Sequence, residues 1–315
     1  IKWLVQFLQD FNATYLVVSH DQQFLNQITT HIIDIEFGKL TKYTGNLEKS
    51  LKLKALQNES YLKQYEAQQA HIKKTEAYIR KYKAGSRSTM AKSREKQLAK
   101  IERLTPPTDA PTPHIAFPYA PIVTTLALET THLEIGYDKP LLSPIDLTIR
   151  YGEKIAIRGF NGIGKSTLIK TLLGQIPAIN GSVSFPQHTK FNYFSQDLTW
   201  EQPLQNPLHY MSDKFPKATI KELRRQLSRA GLPSQLAQEA LKSLSGGEQT
   251  KVKLAEMMMI KSNFLLLDEP TNHIDQATKD NLNAALADFQ GTVLVVSHEA
   301  DFYEDFADRI IELSE

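Results

Sequence analysis

Cysteine is absent from the 315-residue sequence, so disulfide staples and thiolate metal sites are excluded and a reducing compartment fits. No apolar run approaches the roughly 20 residues that a bilayer-crossing helix needs. A membrane-spanning transporter is thereby excluded for these residues, though not a soluble subunit of one. The opening IKWLVQFLQDF shows neither an initiator Met nor a signal-peptide layout and starts inside a helical pattern, so a fragment of a longer protein is expected. Proline is missing from residues 46–104, as is any strand-like alternation. What remains is ordinary for a soluble protein: 41% hydrophobic and 23% charged residues, and a length that allows about two domains.

The net charge of +2 conceals an uneven distribution. Residues 51–103 hold 14 Lys/Arg against 5 Asp/Glu, a local +9, which leaves the rest mildly acidic. A solvated helix face is the plain explanation of a charge run, but an excess this large and this sharply bounded points to a polyanionic partner.

Four zones follow. Residues 1–45 show a helical stretch, Trp3 to Asp10, then apolar runs at Tyr15–Val18 and Ile32–Ile35 that read as strands. Residues 46–104 place Tyr61, Tyr65, Ile72, Ile79 and Tyr82, then Leu98, Ile101 and Leu104, at helical spacing on either side of Ala84-Gly85-Ser86, which predicts a basic helical hairpin with the tyrosines in its seam. Residues 105–121 carry six of the fifteen prolines and read as an extended tether. Residues 122–315 alternate strand and helix signals, the mark of an α/β domain with a largely parallel sheet.

Residues 15–35 align without gaps to residues 293–313 at a constant offset of 278, sharing Leu-Val-Val-Ser-His and a phenylalanine four positions on (Phe24 and Phe302). The first zone is therefore expected to be the end of a domain whose second copy occupies 122–315. Strands at Tyr15–Val18 and Ile32–Ile35 without their sheet would be left with unpaired edges, which predicts disorder or adventitious pairing there.

Within the second copy, GFNGIGKST fits G-x-x-x-x-G-K-[ST] between a strand-like KIAIRG and a helical TLIKTLLG. Gly159, Asn161, Gly162, Gly164, Lys165, Ser166 and Thr167 are the predicted polyphosphate cradle, because glycine lets backbone N–H groups and a helix start close on phosphate. Lys165 would reach the β and γ phosphates and Ser166 would give a hydroxyl to Mg²⁺. NFLLLDEP ends a buried-strand pattern in two carboxylates, Asp268 for Mg²⁺ through water and Glu269 as general base. Successive residues of an extended strand point opposite ways, so the two acids are expected to differ in role. LSGGEQ opens a helix at Ser245, Gly246 and Gly247, with Gln249 one turn in; it suits phosphate, or is a plain N-cap.

Cradle, LSGGEQ and DEP in this order and spacing resemble the ATP-binding cassette (ABC) family. The resemblance implies a P-loop fold with a mostly parallel core sheet, an antiparallel β subdomain and a helical subdomain, together with ATP and Mg²⁺ as cofactors. It also implies that Tyr137 stacks on adenine, that Gln196 senses Mg²⁺ and the attacking water, that Asp275 lies in the D-loop and that His298 is the switch histidine. Lys165, Gln196, Glu269 and His298 would carry the catalysis. An interdomain basic hairpin and the wording TNHID further resemble the ABC-F subfamily, whose members are cytosolic ATPases acting on ribosomes through a hairpin that touches tRNA and rRNA. Arg80, Lys81, Lys83, Arg87, Lys92, Arg94 and Lys96 are then the RNA contacts, and His20 the switch histidine of the partial first cassette. Lys251 and Lys253 stand where the family often has arginine. Since family ATP sites pair one P-loop with another cassette's signature, this chain is expected to bind ATP but turn it over poorly unless two copies dimerise. The rival readings are the ATPase subunit of a membrane exporter, an ATPase binding branched or damaged DNA, and a non-hydrolysing scaffold.

Overall fold

The computed structural model describes residues 2–19, 22–36, 39–82, 88–101, 104, 111–160 and 162–313. The chain divides into two units, Ile1–Thr108 and Asp109–Glu315.

In the first unit, α1 (Lys2–Asp10) and α2 (Gln22–Ile28) enclose a small core of Val5, Phe24 and Ile28. β1 (His31–Glu36) and β2 (Lys39–Thr44) form an antiparallel hairpin. The 36-residue α3 (Leu47–Tyr82) and α4 (Ser88–Lys100) follow. At 1.5 Å per residue α3 is about 54 Å long. α4 folds back along it: the Arg94 guanidinium lies 3.9 Å from the Tyr78 ring centroid, and the Leu104 N–H donates to Gln68 Oε1 at 2.8 Å. Tyr78, a residue outside the expected stripe, makes this contact, while Ile72 of the stripe is buried. The turn expected at residues 84–86 lies outside the described residues.

One expected strand does not form. Residues 11–19 hold no strand, and Leu16 and Val18 are 81% and 90% exposed. Their counterparts Leu294 and Val296 are fully buried in a strand with a neighbour on each side. A central parallel strand is stabilised by its flanking ladders, and this stretch has none among the described residues of its unit. Ile32–Ile35, by contrast, finds the local partner β2.

The second unit runs β3 (Leu126–Glu134), β4 (Ile145–Arg150), β5 (Lys154–Arg158), α5 (Lys165–Leu172), β6 (Asn180–Ser184), β7 (Phe191–Phe194), α6 (Pro207–Lys214), α7 (Ile220–Arg229), α8 (Gly246–Met257), β8 (Phe264–Asp268), α9 (Gln276–Asp288), β9 (Thr292–Val296), α10 (Ala300–Tyr303) and β10 (Arg309–Glu312). The main sheet is wholly parallel, in the order β10-β5-β9-β8-β7. The order β4-β3-β6 makes a separate antiparallel sheet. Continuous apolar runs in β5, β8 and β9 fit burial on both faces, with the period of two dividing them between two cores. Leu265, Leu267, Val293, Val295 and Ala156 join the core that holds α7, α8 and α9 residues. Phe264, Leu266, Leu294, Val296, Ile155 and Ile157 join the core shared with α5 and the antiparallel sheet. This is the architecture the family resemblance implies.

The proline-rich segment departs from a free tether. From residue 111 it runs extended along the second unit with Ile115, Phe117 and Ala120 buried. The His114 N–H donates to Arg229 O, and Tyr119 bridges to Ser262. The apolar residues between the prolines anchor it there.

Candidate functional site

Four adjacent strands, β5, β9, β8 and β7, deliver their carboxyl ends to one cleft of about 430 Å³, the position where open parallel sheets bind ligands. Each end supplies part of the lining. After β5 come Gly162, Gly164, Lys165, Ser166 and Thr167; Gln196 follows β7, Asp268 and Glu269 end β8, and His298 follows β9. Gly162 and Gly164 have φ of +85° and +112°, a region nearly closed to residues with a Cβ, and this bends the loop around the start of α5. Lys165 is buried, and its ammonium donates to the carbonyls of Gly159 at 2.8 Å and Phe160 at 3.1 Å. Asn161 lies outside the described residues.

The two carboxylates do not part as strand alternation suggests. Asp268 is the last strand residue, whereas Glu269 turns out of the strand with φ +48°, held by its N–H donating to Val296 O at 2.9 Å. A bulky residue in this region is strained, and such strain gathers at functional sites. The turn brings Glu269 Oε2 to 2.8 Å from His298 Nδ1 and leaves both acids lining the same cleft.

Asp268 is 1% exposed, and its Oδ1 has no hydrogen-bond partner among the described residues. Burial pushes its carboxyl above the usual range; the Ser166 hydroxyl pulls against this, neighbouring Glu269 adds to it, and Lys170 and Lys165 oppose it. An orphaned buried oxygen beside the Ser166 hydroxyl and Gln196 Oε1, themselves 3.2 Å apart, is a set of hard oxygen donors suited to Mg²⁺. Among the described residues no group of three His, Asp or Glu is placed to hold a metal ion alone. Tyr193, close to Asp268 on β7, has its phenol pushed up to about 12 by burial and then by Asp268 and Asp197.

The signature residues stand apart from this cleft. Ser245 caps α8 in a capping box, its Oγ accepting from the Glu248 N–H while its own N–H donates to Glu248 Oε2 at 2.7 Å. The plain N-cap is thus present. Gln249 donates to Leu244 O at 3.0 Å and accepts from the Trp200 indole at 2.6 Å. Gly246 and Gly247 press on His273, and a Cβ on Gly247 would sit 2.2 Å from the His273 carbonyl oxygen. Asp275 caps α9 through Thr278 and pairs with buried Lys251 at 2.5 Å. Burial alone would raise its carboxyl; the Lys251 ammonium and Thr278 outweigh that and hold it below the usual range. Lys253 pairs instead with Glu256 on its own helix. Tyr137 is 69% exposed on a turn whose flanking Ile135 and Leu141 reach Gly164, so it borders the phosphate loop without lining the cleft.

Asn272 lines the cleft and was not singled out by sequence; its N–H closes a turn onto the Glu269 carbonyl, a turn that DEPTN could have suggested. Glu299 was also missed. It accepts from Thr271 and Lys279, tying the residue after His298 to the segment after Glu269. On the hairpin, Arg80, Lys81, Lys92, Arg94 and Lys96 are exposed, with Arg94 resting on Tyr78 and Lys81 over Tyr82. Lys83, Arg87 and His20 lie outside the described residues.

Two family models, each described as ABC transporter, match residues 142–272 and 33–117. The chain is 36% identical over 98% of its length to YfmM, an ABC transporter ATP-binding protein of Bacillus subtilis (strain 168), covering 59% of that protein. It is 34% identical over 96% of its length to ATP-binding cassette sub-family F member 3 of Homo sapiens, covering 43% of it. The chain thus spans about half the length of such curated relatives. Among solved structures, a dimeric ATP-binding cassette in a post-hydrolysis state with ADP and phosphate shares the fold, at a TM-score of 0.51 and 23% identity over 59% of this chain and 94% of that one.

Proposed function

For a chain that belongs to the ATP-binding cassette family and whose relatives include sub-family F members, we propose an ATP hydrolase of the ABC-F type that acts on the ribosome. Its hairpin would contact tRNA or rRNA. The observation that carries the RNA half of this reading is the local +9 of residues 51–103, which coincides with the α3–α4 hairpin. Lys and Arg on such an arm bind by neutralising phosphates and releasing counterions, which gives salt-sensitive, shape-directed RNA association. An exporter subunit would give no reason for this charge.

At the cleft, the phosphate loop would enclose the β and γ phosphates with backbone N–H groups and the helix start of α5. The Lys165 ammonium would exchange its two carbonyl partners for phosphate oxygens. Asp268, Ser166 and Gln196 would hold Mg²⁺, which when bound neutralises charge on the transferred phosphoryl group. Glu269 Oε2 would accept a proton from the attacking water, with His298, 2.8 Å away, steadying that carboxylate and then meeting the γ phosphate. Ser245, Gly246 and Gly247 lie outside this cleft, so they would complete the site of a second cassette, as a head-to-tail pair requires. The dimeric ADP-bound neighbour supports such pairing.

The test is co-sedimentation of the full-length protein with ribosomes, with ATP, for wild type and Glu269→Gln. The blocked variant should remain on ribosomes and the wild type should cycle off. Failure of both to pellet would favour the exporter or DNA reading.

A further inference from the structure

The hairpin is not the only cationic surface. The second unit, residues 109–315, carries 19 basic against 25 acidic residues, a net −6. Yet residues 214–229 hold six Lys/Arg and one acid, a net +5. The structure gives this run a face. Thr219 and Glu222 form a capping box that starts α7, and Leu223 and Leu227 are buried on its inner side. Helical spacing then sends Lys221 and Arg225 directly away from the core, with Arg224 beside them and Lys217 just before the cap. All four are exposed, and none makes an ion pair or side-chain hydrogen bond among the described residues. The one acid of the run is held at the cap, where Thr219 keeps its carboxyl below the usual range and Arg225 adds a weaker pull.

We propose that this outer face of α7 is a second RNA-docking surface, on the cassette itself, that binds the phosphodiester backbone independently of the hairpin. The inference rests on the ribosomal reading for the choice of RNA, while the site is a separate one. Two observations favour RNA over an anionic membrane. Leu223 and Leu227 of α7 are already buried in its own domain and only Ile220, at its start, is an exposed large apolar residue, so the helix keeps no continuous apolar side to enter lipid. Two of the four cations are arginines, Arg224 and Arg225, held with Lys221 at fixed spacing on the helix, and a guanidinium suits bidentate phosphate contact.

The test measures binding of the full chain to a fluorescein-labelled, structured RNA hairpin by anisotropy, across salt from roughly 50 to 200 mM. Four proteins are compared: wild type, the α7 variant Lys221→Gln/Arg224→Gln/Arg225→Gln, the hairpin variant Lys92→Gln/Arg94→Gln/Lys96→Gln, and the charge-matched control Lys139→Gln/Lys242→Gln/Lys261→Gln. The α7 variant should weaken RNA binding at least tenfold, and the slope of log affinity against log salt should fall by about 2–3, near 0.9 per lost phosphate contact. The control should change neither, and ATP hydrolysis without RNA should be the same in wild type, the α7 variant and the control. An α7 variant with wild-type affinity and slope overturns the proposal, as does a control that loses as much. If the hairpin variant alone loses binding, the ribosomal reading stands and the α7 surface falls. If the wild type binds phosphatidylserine vesicles and not RNA, both fall.

Discussion

Replacing Asp268 by Asn should make the cassette more stable while removing its use of magnesium. The carboxylate is 1% exposed, has one oxygen without a hydrogen bond, and adjoins Glu269. An unsatisfied buried polar group costs about 1–3 kcal/mol, and more if charged. Because its pKa is raised above the unfolded value, the ionised group destabilises the fold, and the penalty grows as pH rises through the folded value. Asn keeps the shape and removes the charge, so at neutral pH the variant should gain about 1–3 kcal/mol. At roughly 2–4 °C per kcal/mol for a domain of this size, its melting temperature should rise by about 2–12 °C without nucleotide. That advantage should shrink as the pH is lowered toward the ordinary carboxylate range. Adding ATP with Mg²⁺ should then reverse the order: wild type gains about 2.7 kcal/mol at ligand one hundred times Kd, and the variant gains much less. Thermal melting with and without Mg²⁺ and ATP reads both effects. A variant that melts below wild type in the absence of nucleotide, or gains equally from ATP with Mg²⁺, would refute the reasoning.

Gly247→Ala puts a methyl group 2.2 Å from the His273 carbonyl oxygen, a backbone atom that cannot swing aside, so a loss of about 1–3 kcal/mol is expected in denaturant unfolding. Ser245→Ala removes the α8 cap and should cost about 1 kcal/mol by the same assay, while Ser245→Thr should retain most of it. Glu269→Gln should leave ATP affinity within a few-fold of wild type and lower the steady-state hydrolysis rate by roughly 10²–10⁴, the range for removing a general base.

The parallel sheet was legible because β5, β8 and β9 are unbroken apolar runs, and the cradle because its glycines stand at fixed offsets from Lys165. The weakness of the strand pattern at Tyr15–Val18 was legible as well, because a central strand forms only beside its neighbours and the sheet that would flank it is not in the sequence. Three features were not. The left-handed turn at Glu269 reverses the alternation rule at the residue that matters most, since glutamate gives no local sign of φ +48°. Ile115 and Phe117 are hidden among prolines that read as tether. The basic face of α7 vanishes in the acidic average of its unit until the helix shows which residues point outward.

The central claim is that the cleft around Lys165 holds ATP with magnesium. Equilibrium binding of a fluorescent ATP analogue, with Mg²⁺ and with EDTA, to wild type and Lys165→Ala tests it most directly. The account predicts saturable binding that weakens at least tenfold on chelation or on loss of the lysine. Binding indifferent to both would contradict it.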